Sequence, residues 1–237
     1  MRVTSSLRLY TSNRAAVMLV PIYILLALLG ISILIALVVG INAGLPLPES
    51  VSDKLAQNLG AVFSLPGFMV SLGVLAVNRN FAMALAFGTT RREFWLGQAL
   101  GFLLTTLATS SASLVLLVLE RVTDHWFIGA RAFDVAPMGN GSYPKTFAMI
   151  AMLSLLSLFL GAFFGTVYRA FGATATTLVG VILGVVLVGA VAVGVWQWDR
   201  VLPWLVEMGI WGAFWIGMGV SAVAAVLSYL ANRVATV

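Results

Sequence analysis

The stretch 78-NRNFAMALAFGTTRREFWLGQALG-101 sets Arg91, Arg92 and Glu93 side by side between two apolar runs, in a chain of which only 9% is charged. Residues 79–87 are good helix formers, and they stop at Gly88, a residue type favoured just past a helix end. Thr90 and Glu93 have capping-box spacing: the Thr90 hydroxyl can accept from the amide of residue 93, and the Glu93 carboxylate from the amide of Thr90. The pattern predicts a short helix, a tight turn, and a new helix that starts near Arg91 and becomes the next apolar run. The two arginines then sit in a first helical turn, where the macrodipole disfavours cations by about 0.3–1 kcal/mol each. Two offsets are open: topological bias with anionic headgroups, or an acidic or polar groove on a cytoplasmic partner. Phe81, Met83, Leu85 and Phe87 lie on a rod too short to cross a membrane, so their side chains need cover from lipid, neighbouring helices or a partner.

Working outward, the chain is 61% hydrophobic with a mean hydropathy of +1.07. A soluble domain is nearer half apolar and a quarter charged. Several apolar runs exceed the roughly 18 residues needed to cross a bilayer as helix. The fold class expected is an all-α polytopic membrane protein, a single transmembrane domain over 1–237. Six spans are expected at 17–41, 58–77, 94–119, 147–167, 172–196 and 209–231. The segment 1–16 precedes the first span, 78–90 forms an elbow, and 120–146 a loop at the opposite side. Arg2, Arg8 and Arg14 precede an apolar run too long for a cleavable signal peptide.

Orientation follows from the arginines. With the N-terminus inside, the inner segments hold Arg2, Arg8, Arg14, Arg79, Arg91, Arg92, Arg169 and Arg233 against the single acid Glu93. The outer segments hold Lys54, Arg121, Arg131, Lys145 and Arg200 against Glu49, Asp53, Glu120, Asp124, Asp134, Asp199 and Glu207. The positive-inside rule therefore predicts both termini in the cytoplasm, in a cell membrane. The net charge of +5 is accounted for by topology, and no nucleic-acid partner is expected.

Catalytic constellations are missing from the sequence. There is no cysteine, so disulfides, thiolate metal sites and cysteine nucleophiles are excluded. His125 is the only histidine, falls in the outer loop and suits no metal site alone. No expected span carries a charge in its deep interior, which counts against proton pumps and ion-coupled carriers. Lys54 follows Asp53 and Lys145 follows Pro144, so no phosphate-cradling Gly-Lys-Ser/Thr exists. Any ATP-driven step needs its engine on another chain.

Milder features remain. Thr105, Thr106, Thr109, Ser110, Ser111 and Ser113 line the third span, and Thr174, Thr176 and Thr177 open the fifth. These hydroxyls suit either helix packing or a weakly polar solute path. For the path reading the candidates are Thr105, Thr106, Thr109, Ser113, Thr174 and Thr177. Glycines four apart at Gly40/Gly44, Gly97/Gly101, Gly161/Gly165 and Gly180/Gly184 indicate close helix packing. The segment 196-WQWDRVLPWLVEM-208 reads either as an interfacial aromatic belt or as a segment dipping into the bilayer.

The string 84-ALAFGTTRREFWLGQAL-100 resembles the segment between the second and third spans of six-span permease subunits of ATP-binding-cassette exporters, of the type 2 superfamily. Gly88, Thr90, Arg91, Arg92 and Phe94 match that family's pattern. The opening 1-MRVTSSLRLYTSNRAA-16 is similar to its amphipathic cytoplasmic helix, and the six-span layout with a short segment between the last two spans is similar too. The resemblance implies that residues 78–90 form a coupling elbow, with Arg79, Phe81, Met83, Leu85, Phe87, Gly88, Thr90, Arg91, Arg92, Glu93 and Phe94 as the partner-binding set. It implies as partners an ATP-binding-cassette ATPase subunit, which holds ATP and Mg, and a second permease copy or paralogue. No cofactor, metal or catalytic residue is expected on this chain, which is not read as an enzyme. The cargo implied is hydrophobic or amphipathic: a drug, a lipid-like molecule or a peptide. A stand-alone carrier or facilitator, and a non-transporting scaffold or sensor, are the alternatives. The outer loop 120–146 is longer than a minimal connection. A likeness between 77-VNRNFA-82 and 167-VYRAFG-172 hints at a second inner contact near Arg169.

Overall fold

The computed structural model describes residues 2–12, 15–57 and 60–235. Arg14, the start of the expected second span at 58–59, and Met1 and Asn13 of the leading segment lie outside the described residues. The elements are helical throughout the described chain: α1 Arg2–Ser12, α2 Val20–Ala43, α3 Glu49–Ala56, α4 Gly60–Ala86, α5 Arg91–Val122, α6 Tyr143–Trp196 and α7 Trp198–Asn232. Five helices are long and apolar enough to cross a membrane, as a multi-pass membrane protein requires: Val17–Ala43, Ser64–Ala86, Arg91–Val122, Tyr143–Trp196 and Val206–Asn232.

Two glycines interrupt the longest of these. α6 runs for 54 residues but breaks at Gly172, whose φ of 81° and ψ of −175° are not helical. A Cβ built on Gly180 would stand 4.0 Å from the Phe164 ring, so the part of α6 after Gly172 folds back along the part before it. α7 breaks in the same way at Gly209, with φ of 56°. These breaks fall at the expected starts of the fifth and sixth spans, 172 and 209. The expectation of a separate short helix over 79–87 is corrected: α4 continues unbroken through Asn78, Arg79 and Asn80 to Ala86. The polar triplet does not end the helix because packing supports it. Arg169 Nη1 donates to the Asn78 carbonyl at 2.8 Å, and its guanidinium lies 5.0 Å from the centre of the Phe81 ring.

The first part of α6 is the axis around which the others pack. Gly161 faces the Val70 carbonyl so closely that a Cβ would collide with backbone, and Gly73 faces the Leu158 carbonyl in the same way. Gly165 lies against Val74 and Val77. The paired positions rise together, so α4 and this part of α6 are parallel. Gly217 abuts Met152, and Thr166 Oγ1 stands 3.3 Å from Ser228 Oγ, so the end of α7 is parallel to them as well. α1 seats on α5, where Gly97 leaves room for Ser6 and Leu7 and Gly101 for the Tyr10 ring. Of the four glycine pairs, Gly97/Gly101 and Gly161/Gly165 mediate helix contact. Gly40 faces the Leu45 side chain, Gly44 serves a turn with φ of 87°, and Gly184 faces open space.

Aromatic rings tie the same elements together. Tyr10 meets Phe102 edge-on at 5.6 Å, Phe102 meets Phe159 at 5.3 Å, Phe159 stacks on Trp95 at 6.4 Å, and Trp95 meets Tyr229 at 5.3 Å. The chain of rings crosses α1, α5, α6 and α7, each contact contributing about 0.5–1.5 kcal/mol beyond area burial.

The opposite end is closed by the 120–146 segment. Glu120 is fully buried and accepts from the amides of Ala132, Phe133 and Asp134 at 3.1, 2.8 and 3.1 Å. His125 Nε2 lies 3.3 Å from Asp134 and Arg121 Nε 3.5 Å from it. Arg131 pairs with Asp53 of α3 at 2.9 Å, and Ser52 donates to the Gly129 carbonyl at 2.9 Å. Asp124, His125, Trp126 and Phe127 all have positive φ between 48° and 61°. Each such non-glycine residue costs roughly 1–2 kcal/mol, which the Glu120 and α3 contacts must offset.

Candidate coupling elbow

α4 and α5 meet in four residues, Phe87 to Thr90, and both helix ends are fully capped. Gly88 takes φ of 75°; its amide donates to the Leu85 carbonyl at 2.8 Å, and the Thr89 amide to the Ala84 carbonyl at 3.2 Å. That is a Schellman motif, which satisfies the otherwise orphaned carbonyls at the end of α4. Thr89 Oγ1 also donates to the Ala84 carbonyl at 2.6 Å. α5 then starts with the expected capping box: the Glu93 amide donates to Thr90 Oγ1 at 3.2 Å, and the Thr90 amide donates to Glu93 Oε2 at 2.8 Å. No uncapped residue separates the two devices, so the turn has little slack.

The arrangement also answers how Arg91 is tolerated at a helix start. Its guanidinium donates to the carbonyl of Arg233, the C-cap of α7, and Asn232 Nδ2 donates to the Arg91 carbonyl at 2.8 Å. The negative end of the α7 dipole supplies the charge that the α5 start lacks. Arg92 is exposed. The other expected elbow residues divide in the same way. Phe81 and Phe94 are buried, edge-on at 5.3 Å, and clasped by Ala84 and Ala235. Leu85 is half-buried, whereas Met83 is 46% and Phe87 75% exposed. Arg79 is exposed on the α4 flank. Met83, Phe87, Gly88, Thr90 and Arg92 are thus exposed around the turn and Arg79 on its flank, whereas Phe81, Arg91 and Phe94 hold the elbow to the body.

α1, the elbow, Arg169 and the end of α7 gather at one end of the bundle. Arg121, Arg131, Asp53, Glu120 and Asp134 gather at the other. The two similar segments, 77–82 and 167–172, touch each other through Arg169, Asn78 and Phe81.

The candidate path residues do not form one surface. Thr105, Thr106, Thr109 and Ser113 are buried, with Thr105 donating to the Gly101 carbonyl, Thr109 to that of Thr105 and Ser113 to that of Ser110. Thr105 also meets the Tyr10 hydroxyl at 3.0 Å. Thr174 and Thr177 are exposed beyond Gly172, and Thr177 donates to the Ala173 carbonyl. Sequence reasoning missed the α7 C-terminus as part of the elbow; the only signal was Asn232 and Arg233 closing the last apolar run. No protein-family model matches the chain, and no curated protein or solved structure matches it.

Proposed function

We propose that this chain is the membrane subunit of an ATP-driven exporter, crossing the bilayer six times with both termini in the cytoplasm. The sixth crossing comes from counting the two parts of α6 on either side of Gly172 separately. ATP is hydrolysed on a separate ATP-binding-cassette subunit, and two permease chains pair to enclose a path for a hydrophobic or amphipathic cargo. The elbow seats in that ATPase through Met83, Phe87 and Arg92. Closure of the ATPase pair then tilts α4 and α5 as levers.

The observation that carries this reading is the elbow itself. A doubly capped turn joins two long helices without slack while leaving an aromatic ring and a guanidinium exposed at its tip. α4 and α5, at 27 and 32 residues, are about 40 and 48 Å long. Both exceed the roughly 30 Å of a hydrocarbon core, which leaves length for their joined ends to stand clear of it. A rigid protruding corner transmits displacement; a flexible loop would absorb it.

The test uses the full chain reconstituted with its ATPase subunit. Phe87→Ser combined with Arg92→Glu is expected to lower stimulated ATPase turnover at least about tenfold, with membrane insertion and melting temperature unchanged. Unchanged turnover and subunit binding would remove the coupling assignment. Transport by this chain alone in liposomes, without nucleotide, would replace it with the stand-alone carrier.

A further inference from the structure

Between α1 and α4, at the elbow end, lies an open cleft of about 400 Å³. Leu9 and Val17 line it opposite α4, which contributes Leu72, Leu75, Arg79, Asn80 and, nearest the elbow, Met83. Leu72, Leu75 and Arg79 share one face of α4 at helical spacing, so Arg79 sits about 10 Å nearer the elbow than Leu72. The α4 side of the site is thus apolar over Leu72 and Leu75, carries its charge at Arg79, and closes on Met83 one turn nearer the elbow. Among the described residues none that lines it is acidic, and Glu93 is engaged by Thr90. Leu75 is 58% exposed, which leaves the apolar wall open from the side.

We infer that this cleft binds one anionic phospholipid of the leaflet nearest the elbow, its phosphate on Arg79 and Asn80 and an acyl chain along Leu72 and Leu75. The ordering of the lining decides between ligands. A small soluble anion has no use for two turns of apolar wall, and an uncharged amphiphile leaves the guanidinium without a counter-charge. A phospholipid has the same polarity as the cleft, and a planar guanidinium can donate two hydrogen bonds to one phosphate. Volume agrees: a few hundred cubic ångströms accommodates a headgroup with part of one chain, not a whole lipid. The floor is fixed, because Tyr10 is buried and bound to Thr105. An occupied cleft therefore links α1 to α4, which otherwise reach each other mainly through α5 and the elbow. The cleft shares Met83 with the surface assigned to the ATPase, but Phe87 and Arg92, the two positions changed to test the exporter reading, do not line it, so the two tests fail separately.

The test titrates the full chain in detergent with dioleoyl phosphatidylglycerol, dioleoyl phosphatidylcholine or glycerol 1-phosphate, and reads bound ligand by native mass spectrometry. One phosphatidylglycerol is expected to bind about tenfold more tightly than phosphatidylcholine. Arg79→Ala should erase that difference, Arg79→Lys should restore part of it, and Leu75→Trp should weaken both lipids. Arg92→Ala, at the same end but outside the cleft, should change nothing. Equal binding of the two lipids by the unmutated chain would overturn the inference. So would an equal loss in Arg79→Ala and Arg92→Ala, which would mean diffuse surface charge. Glycerol 1-phosphate binding as tightly as the lipid would identify a small-anion site instead.

Discussion

At the scale of single residues, the elbow depends on a few polar groups in fixed roles. Thr90→Ala removes one half of the capping box and is expected to cost about 1 kcal/mol, read as faster amide exchange at residues 91–94 with the rest of α5 unchanged. Unchanged exchange there would mean that the box does not hold the turn. At the other end, Glu120→Ala strands three buried amides and is expected to destabilise by about 3 kcal/mol. Glu120→Gln, which retains one acceptor oxygen, should lose less. Thermal unfolding in detergent and protease cleavage within 123–142 would report both. Tyr10 provides a pH signature: burial pushes its phenol up to about 12, against the opposing hydrogen bond with Thr105. The folded pKa is raised, so the stabilising effect is complete below the ordinary value near 10 and is lost as pH rises toward 12. Release of α1 should show in that window and disappear in Tyr10→Phe. The caps were legible in sequence because Gly88, Thr90 and Glu93 are local neighbours. The partner of Arg91 was not, because it lies 142 positions away and a cation at a helix start gives no hint of which carbonyl will receive it.

At the scale of elements, the seam between α4 and α6 should be the least tolerant part of the molecule. Gly161→Val places two methyl groups against the Val70 carbonyl and is expected to destabilise by about 2 kcal/mol or more. Gly184→Val, where nothing lies within 4 Å, should leave the melting temperature unchanged. Equal effects would show that the seam is not packed as described. The four-residue glycine spacing announced close packing but could not say which pairs meet a partner. That depends on which helix faces turn inward, and hydropathy cannot rank faces in a helix that is apolar all round. The same limitation explains the elbow rod. The second span was expected to end at 77 with a separate rod after it, but α4 passes through Asn78, Arg79 and Asn80 because Arg169, on another helix, satisfies the Asn78 carbonyl and covers Phe81. The breaks in α6 and α7 fall at Gly172 and Gly209, whose positive φ other residues would resist, and these are the positions at which the last two apolar runs were expected to begin.

At the scale of the whole molecule, two ends with different chemistry are joined by parallel helices and a chain of aromatic rings. The arginine-rich end gathers α1, the elbow and the end of α7; the acid-rich end is closed by α3 and the Glu120-anchored segment. The part of α6 after Gly172 packs little of its apolar surface within the chain, with Val185, Leu187 and Val188 about two-thirds exposed, so lipid or a second chain must cover it. The exporter reading requires the arginine-rich end to face the cytoplasm, and the absence of native cysteine makes that directly testable. Phe87→Cys, at the exposed tip of the elbow, is to be treated with a membrane-impermeant maleimide in intact cells and in inverted vesicles, with Lys54→Cys as the opposite marker. Position 87 is expected to be labelled only in the inverted vesicles and position 54 in intact cells; labelling of position 87 in intact cells would put the elbow outside the cytoplasm and remove the exporter reading.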